Sequence, residues 1–147
     1  MASGEQLLTV EATQLTVVSG ESSLGPIKAA LIWFQCYFEI REKSGLLPLP
    51  PICHLINRKD SFTFKVWKTL VNKVPIKETV TYGELAVLSG SSKRASIAVG
   101  QAMRMNPVMI LVPCHRVVPS TGGIGNYAGG KKNDIKAWLL KHEGKFL

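Results

Sequence analysis

Residues 80–107 read VTYGELAVLSGSSKRASIAVGQAMRMNP. Two helices are written into this run, with a break between them. Thr81 has N-cap chemistry and Glu84 follows three residues later, the spacing at which a hydroxyl and a carboxylate each satisfy a backbone N–H of the first turn. Gly90 is the stop, because glycine takes the left-handed backbone that ends a helix. After GSSK a second helix is predicted from about Lys93 to Met105, closed by Asn106-Pro107, since the residue before a proline avoids helical backbone. Two short helices joined by a glycine-containing turn, the second with basic residues at its start, resemble a helix-turn-helix. Helical hairpins of this kind also occur as plain packing units. The pattern alone leaves that reading and a nucleic-acid reader both open.

Outward from this run the signals continue. Ser61 can cap a helix over FTFKVWKTLVNKV, with Phe62, Val66, Leu70 and Val74 on one face and Pro75 at its end. Downstream, VMILVPCHRVV (108–118) reads as a buried strand interrupted by Pro113. The run STGGIGNYAGG (120–130) holds five glycines and is a loop. It has neither the GxGxxG pattern nor a Walker lysine, which excludes a phosphate-cradling role. KNDIKAWLLKHEG (132–144) is a closing helix, capped by Asn133 or Asp134 and stopped by Gly144. Towards the N-terminus, QLLTVEATQLTVVSG (6–20) alternates like one or two strands, SSLGP (22–26) is a turn, and a helical apolar segment runs to Ile40. Pro48, Pro50 and Pro51 block both helix and central strand, so a boundary falls near Pro48–Asp60. The expected class is α/β (α+β): a small strand-containing N-terminal domain over 1–60 and a helical, winged-helix-like C-terminal domain over 61–147.

The net charge of +8 is unevenly placed. Residues 1–59 hold five Lys/Arg and five Asp/Glu, whereas residues 60–147 hold 13 against five and carry the whole excess. Such a field favours polyanions, whether nucleic acid, an acidic membrane surface or an acidic protein. No apolar run reaches the roughly 18 residues of a membrane span, and no secretory signal precedes the first strand. Three cysteines spread along the chain are not a disulfide framework. The expected setting is intracellular and reducing.

Cys114 stands between a proline and a histidine. A reactive cysteine needs a base or positive surroundings, and His115, Arg116, His142 and Glu143 are the candidates at hand. Neighbours on an extended segment face opposite ways, so His115 would need a bridging water or a turn at Pro113 to serve Cys114. A packed, inert thiol remains open, as does a cysteine hydrolase, although no protease-type signature is present. Cys36, Cys53 and His54 lack metal-ligand spacing, so no metal is expected.

Six ordered blocks then narrow these alternatives. FTFKVWKTL, VTYGELA, AVGQAMRMNPVMILV, PCHRVV, GNYAGG and WLLKHEG together resemble the O6-alkylguanine-DNA alkyltransferase family over about Phe62 to Gly144. The resemblance implies repair of DNA by irreversible, single-turnover transfer of an alkyl group from guanine O6 to Cys114, without a cofactor. It implies that His115 takes the thiol proton through a water, that Glu143 orients His115, and that Tyr82 donates towards guanine N3. Asn106 would join the recognition helix to the active-site loop. Met109, Val117, Ser120, Gly125, Asn126 and Tyr127 would form the pocket of the flipped base. Thr63, Tyr82, Gly83, Ser92, Arg94, Ala95, Ser96, Ile97, Gly100, Arg104 and Ser120 would meet double-stranded DNA through the minor groove, with Lys93 also near phosphates. A monomer is expected, placed in the nucleus if the source is eukaryotic and otherwise in the cytoplasm.

Two departures from the family pattern stand out. The family usually has RAVG on the recognition helix, its arginine filling the gap left by the flipped nucleotide; here IAVG places Ile97 there. An apolar wedge can also occupy an unstacked step, and Arg94, three residues earlier, lies on the same face. Weaker DNA binding or slower flipping than in the family is expected. The second departure is PIK at Pro75–Lys77, where glycine is usual after the proline and a local turn change is expected. The rival function is a lesion-binding sensor without transferase activity; such relatives replace the cysteine, which this chain keeps.

Overall fold

The computed structural model describes residues 25–39, 47–50 and 61–145. The chain divides into two units, Met1–Pro51 and Ile52–Leu147. In the first, helix α1 spans Gly25–Glu39 and buries Trp33, Cys36 and Tyr37. The indole of Trp33 stacks on the Tyr37 ring, an aromatic pair one helical turn apart. The strands expected over 6–20 and residues 51–60 of the expected boundary lie outside the described residues.

In the second unit, Ser61 caps helix α2 (Phe62–Lys73), its hydroxyl accepting from Phe64 N at 3.2 Å. Val66, Leu70 and Val74 are buried as the periodicity requires, and Trp67 is buried beside them. A two-residue strand β1 (Val80–Thr81) leads into α3 (Tyr82–Leu88). The expected capping box is present there: Thr81 Oγ1 accepts from Glu84 N while Glu84 Oε2 accepts from Thr81 N at 2.8 Å. The Thr81 N–H, and then the Thr81 hydroxyl, which donates to the same Glu84 Oε2 at 2.8 Å, hold the Glu84 carboxyl below its ordinary range. Helix α4 (Ser96–Arg104) follows Gly90, and the indole N–H of Trp67 donates to Ala102 O at 2.8 Å, tying α2 to α4. Helix α5 (Asn133–His142) closes the unit. Strand β2 (Val117–Val118) pairs in parallel with β1, Val80 facing Val117 and Thr81 facing Val118. The mixture of helices and short strands matches the α+β expectation. Among the described residues no helix is long and apolar enough to cross a membrane.

Three expectations are corrected. The second helix of the hairpin is not α-helical from Lys93: Lys93–Ala95 form a tighter 3₁₀ turn before α4, and Ser92 makes no side-chain cap. Residues 108–118 are not one strand. Asn106 folds them back, its Oδ1 accepting from Val108 N at 3.0 Å and its Nδ2 donating to Val112 O at 2.8 Å. Ile110 takes a left-handed φ of 75° inside that loop, and only Val117–Val118 pair as strand. Neither Asn133 nor Asp134 caps α5. Lys132 sits at the cap without a side-chain bond, because Asn133 is used elsewhere: its Oδ1 accepts from Tyr127 N at 2.8 Å, pinning the glycine-rich loop.

Candidate active site

Cys114 opens a 3₁₀ turn, Cys114–Arg116, that Pro113 introduces. In a three-residue turn successive side chains are about 120° apart rather than on opposite faces, so the turn removes the obstacle that an extended segment would set between Cys114 and His115. Cys114 is 5% exposed, and its sulfur accepts a hydrogen bond from Asn106 Nδ2 at 3.1 Å. Asn106 thus holds the loop and the sulfur with one amide group. Burial pushes the Cys114 thiol up; Asn106, the Tyr127 hydroxyl and the positive charge of Lys136 pull it back. The buried Tyr127 hydroxyl lies close enough to the sulfur to perturb it, without a hydrogen bond of good geometry. Burial, then the neighbouring thiolate, also pushes the Tyr127 phenol well above its ordinary value.

The sulfur lies in an open cleft of about 500 Å³ whose lining includes Tyr82, Ile97, Gly100, Arg104, Met109, Gly125, Asn126 and Tyr127. Gly125 has a φ of +69°, and a Cβ there would come within 2.8 Å of the Pro119 ring, so both backbone and space demand glycine. Burial, followed by the negative charge of Cys114, raises the Tyr82 phenol, and Arg104 opposes them.

Behind the turn is a buried charge network. His115 Nε2 lies 2.7 Å from Glu143 Oε1; Arg116 donates through Nε to Glu143 Oε2 and through Nη2 to Oε1, both at 2.9 Å. Arg116 Nη1 also donates to Val74 O at 2.7 Å, anchoring the network to the end of α2. The carboxylate's partners, His115 and Arg116, outweigh the cost of burial and bring Glu143 down to about 2. An ionised carboxylate only accepts, so the proton of a neutral His115 sits on Nε2 and Nδ1 carries the lone pair. Nδ1 is buried with no hydrogen-bond partner among the described residues. Burial, opposed by Glu143 and aided by the Arg116 charge, lowers the His115 imidazole below its ordinary value and keeps it neutral. The arrangement is a buried thiol followed in the same turn by a neutral imidazole, whose unbonded nitrogen can accept a proton and whose other nitrogen faces a carboxylate that stabilises the resulting cation.

Residues 61–145 match the family model described as 6-O-methylguanine DNA methyltransferase, DNA binding domain. The chain belongs to this family. The methylated-DNA–protein-cysteine methyltransferase of Rattus norvegicus is 47% identical over 119 residues, which are 81% of this chain and 56% of that protein. Its Homo sapiens counterpart is 44% identical over 122 residues, covering 83% and 58%. The chain therefore spans a little over half the length of these relatives. Among solved structures, Mycobacterium tuberculosis OGT in complex with DNA is 41% identical with a TM-score of 0.53, covering 59% of this chain and 51% of that one. The O6-methylguanine-DNA methyltransferase of Pyrococcus kodakaraensis KOD1 is 31% identical with a TM-score of 0.54, covering 90% and 74%.

In this methyltransferase-family chain, Cys114, Tyr82, Met109, Gly125, Asn126 and Tyr127 share the cleft, and His115, Glu143 and Asn106 lie behind it, buried. Ile97, Gly100 and Arg104 line the cleft from α4, while Gly83, Lys93, Ser96 and Ser120 line an adjoining groove that also includes Ile97 and Gly100. Thr63, Ser92, Arg94 and Ala95 line neither. Val117 is fully buried under the turn and does not line the cleft; its carbonyl accepts from Lys136 Nζ at 2.6 Å. Two functional residues are not legible in the sequence. Arg116 stands there only as a neighbour of the thiol, yet it bridges Glu143 and Val74. Lys136, 1% exposed on α5, gives no sign because a lone lysine in a helix carries no pattern. Its place at an otherwise apolar core position (between Leu139, Leu140 and the helix start) is the one signal that could have found it.

Proposed function

We propose that this chain repairs O6-alkylguanine in double-stranded DNA by moving the alkyl group onto its own Cys114, once per molecule. The observation that supports this best is Cys114 lining a cleft of about 500 Å³, with buried His115 and Glu143 paired behind it. In the reaction the thiol proton passes, through a water, to His115 Nδ1, and Glu143 stabilises the imidazolium. The thiolate attacks the alkyl carbon; the S–C bond forms as the C–O6 bond breaks, and the electron pair returns to the purine. Tyr82 donates its proton towards N3 and improves the leaving group. Burial, and then the thiolate's charge, hold the phenol protonated. As the sulfur becomes a neutral thioether the second of these restraints is removed while burial stays, so proton donation becomes easier in step with transfer. The thioether has no route back, and the protein is consumed.

A stacked base hides O6 from any cysteine, so the nucleotide must be flipped out. The α4 side of the cleft is suited to flipping, since Ile97 is 79% exposed there, with Ser96 and Gly100 allowing close approach and Arg104 exposed. We assign this face to the minor groove, with Lys93, Arg94 and Arg104 neutralising phosphates without reading sequence. All the groups come from one chain, which fits a monomer. Intact-protein mass after incubation with a duplex containing O6-methylguanine tests the reading. One added methyl per molecule, absent in Cys114→Ala, is expected. Lesion-preferring binding without mass gain would replace transfer with damage sensing.

A further inference from the structure

We propose that Lys136 is the counter-ion of the Cys114 thiolate: its ammonium, anchored beneath the active-site turn by the Val117 carbonyl, supplies the positive charge that the buried sulfur needs once it has given up its proton. This rests on the reading of Cys114 as a nucleophile. Lysine is almost never fully buried unless paired, yet Lys136 is 1% exposed and its hydrogen-bond partner is a neutral carbonyl at 2.6 Å. A single carbonyl does not balance a buried ammonium.

The placement identifies the missing anion. Val117 closes the turn that Cys114 opens, its N–H donating to Cys114 O, so Nζ sits one turn beneath the nucleophile. On the other side a Cβ built on Gly125 would lie 3.9 Å from Nζ, and Gly125 lines the same cleft as the sulfur. The other groups around Cys114 are already committed. Arg116 is paired with Glu143 through two hydrogen bonds, and His115 faces the same carboxylate. Asn106 gives the sulfur a neutral amide donor, Tyr127 and Tyr82 are uncharged phenols, and the Arg104 charge acts on Tyr82. Lys136 is the remaining cation among these groups. The coupling runs both ways: the ammonium lowers the Cys114 thiol, and the thiolate raises Lys136 against a burial that brings it to about 8. Lys136 keeps its protons throughout the reaction; the thiol proton goes to His115, and after transfer the ammonium is left without its anion.

The test reads the thiol without DNA. Carbamidomethylation of Cys114 by iodoacetamide is followed by peptide mass from pH 6 to 10 in the wild type, Lys136→Met and Lys136→Arg, each checked for folding by thermal melt. Lys136→Met is expected to raise the apparent thiol pKa by about one unit, a tenfold slower reaction near neutral pH, and Lys136→Arg to restore most of it. A Lys136→Met profile that overlays the wild type, or equal losses in both variants, overturns the proposal. Lysine Nζ NMR provides a measurement that needs no folded Lys136 variant: Lys136 should titrate lower in Cys114→Ala than in the wild type, and equal values overturn the counter-ion. Should DNA show no transfer while Lys136→Met still shifts the thiol, the counter-ion stands and the transfer reading falls.

Discussion

Between residues 61 and 104 the capping side chains reach three positions along the chain, Phe64 to Ser61 and Glu84 to Thr81. Between 106 and 145 the reach is far longer: Arg116 to Val74 spans 42 positions, His115 to Glu143 spans 28 and Lys136 to Val117 spans 19. The first stretch is a scaffold whose helices are started by their own ends and tied once, through Trp67 and Ala102. The second is held by bonds that only the folded unit brings together, because Arg116, Lys136 and Glu143 are buried and meet residues distant in sequence. Apart from Tyr82, the proposed chemistry sits in the second stretch, and the face assigned to DNA sits largely in the first. A change in one should therefore cost stability and reactivity together, while a change on the α4 face should touch DNA alone.

The harshest trial of that division is Glu143→Gln. It leaves His115 and Arg116 buried without their carboxylate, and breaking such a network costs about 3–5 kcal/mol. Transfer should slow by roughly 100-fold or more, as expected when a general base loses its support. Denaturant unfolding and single-turnover transfer on the same sample check both. Lost activity at unchanged stability would break the comparison. The pH dependence sharpens it. Glu143 lies at about 2 in the fold against an ordinary 4.5, so its stabilisation is complete above about 4.5 and is lost as pH falls through about 2. Unfolding midpoints between pH 2 and 7 should fall towards acid in the wild type, and less steeply in Glu143→Gln.

Asn106→Ala comes next. It removes donors to Val112 O and to the Cys114 sulfur, and the stranded carbonyl alone costs about 1–3 kcal/mol. Chemical denaturation should report that loss, and iodoacetamide should find a thiol of higher pKa, since a donor that lowers it has gone. A full-strength thiol with lowered stability would mean that Asn106 holds the loop only.

On the other side of the divide, Ile97→Arg should change stability by less than about 0.5 kcal/mol, as exposed substitutions do. DNA affinity should gain a steeper salt dependence, by about 0.9 in the log–log slope if one phosphate is contacted. Transfer from duplex DNA should rise a few-fold, and transfer from a free O6-alkylguanine base should not change. No gain with duplex would show that the apolar side chain serves flipping as well as an arginine.

The same division explains what the sequence revealed. Ser61, Thr81, Glu84 and Gly90 announce their helices because a cap is a local event. Residues 108–118 misread as a strand because the apolar run is real, while the Asn106 side chain that folds it back is a tertiary feature. Asn133 looks like a cap and is spent on Tyr127 N instead. Cys114, His115 and Glu143 were legible through the family blocks, and Gly125 through its loop. Lys136 and the second role of Arg116 were not, since a buried cation's partner is visible only once the fold has placed it.

The smallest effect belongs to Lys77, in the turn between α2 and β1. It holds a left-handed φ of 72°, where a Cβ costs roughly 1–2 kcal/mol. Glycine removes that strain but gives back roughly 0.5–1 kcal/mol through the greater freedom of the unfolded chain. Lys77→Gly should therefore stabilise the protein by about 0.5 kcal/mol, a rise of about 2 °C in Tm for a chain of this size. Lys77 is exposed and lines neither the cleft nor the adjoining groove. Transfer rate and salt slope should thus stay at wild-type values while the melt moves. A slower transfer would mean that this turn helps to set β1, which pairs with β2 directly after the nucleophile's turn, and that the scaffold and the chemistry are less separable than their bonding suggests.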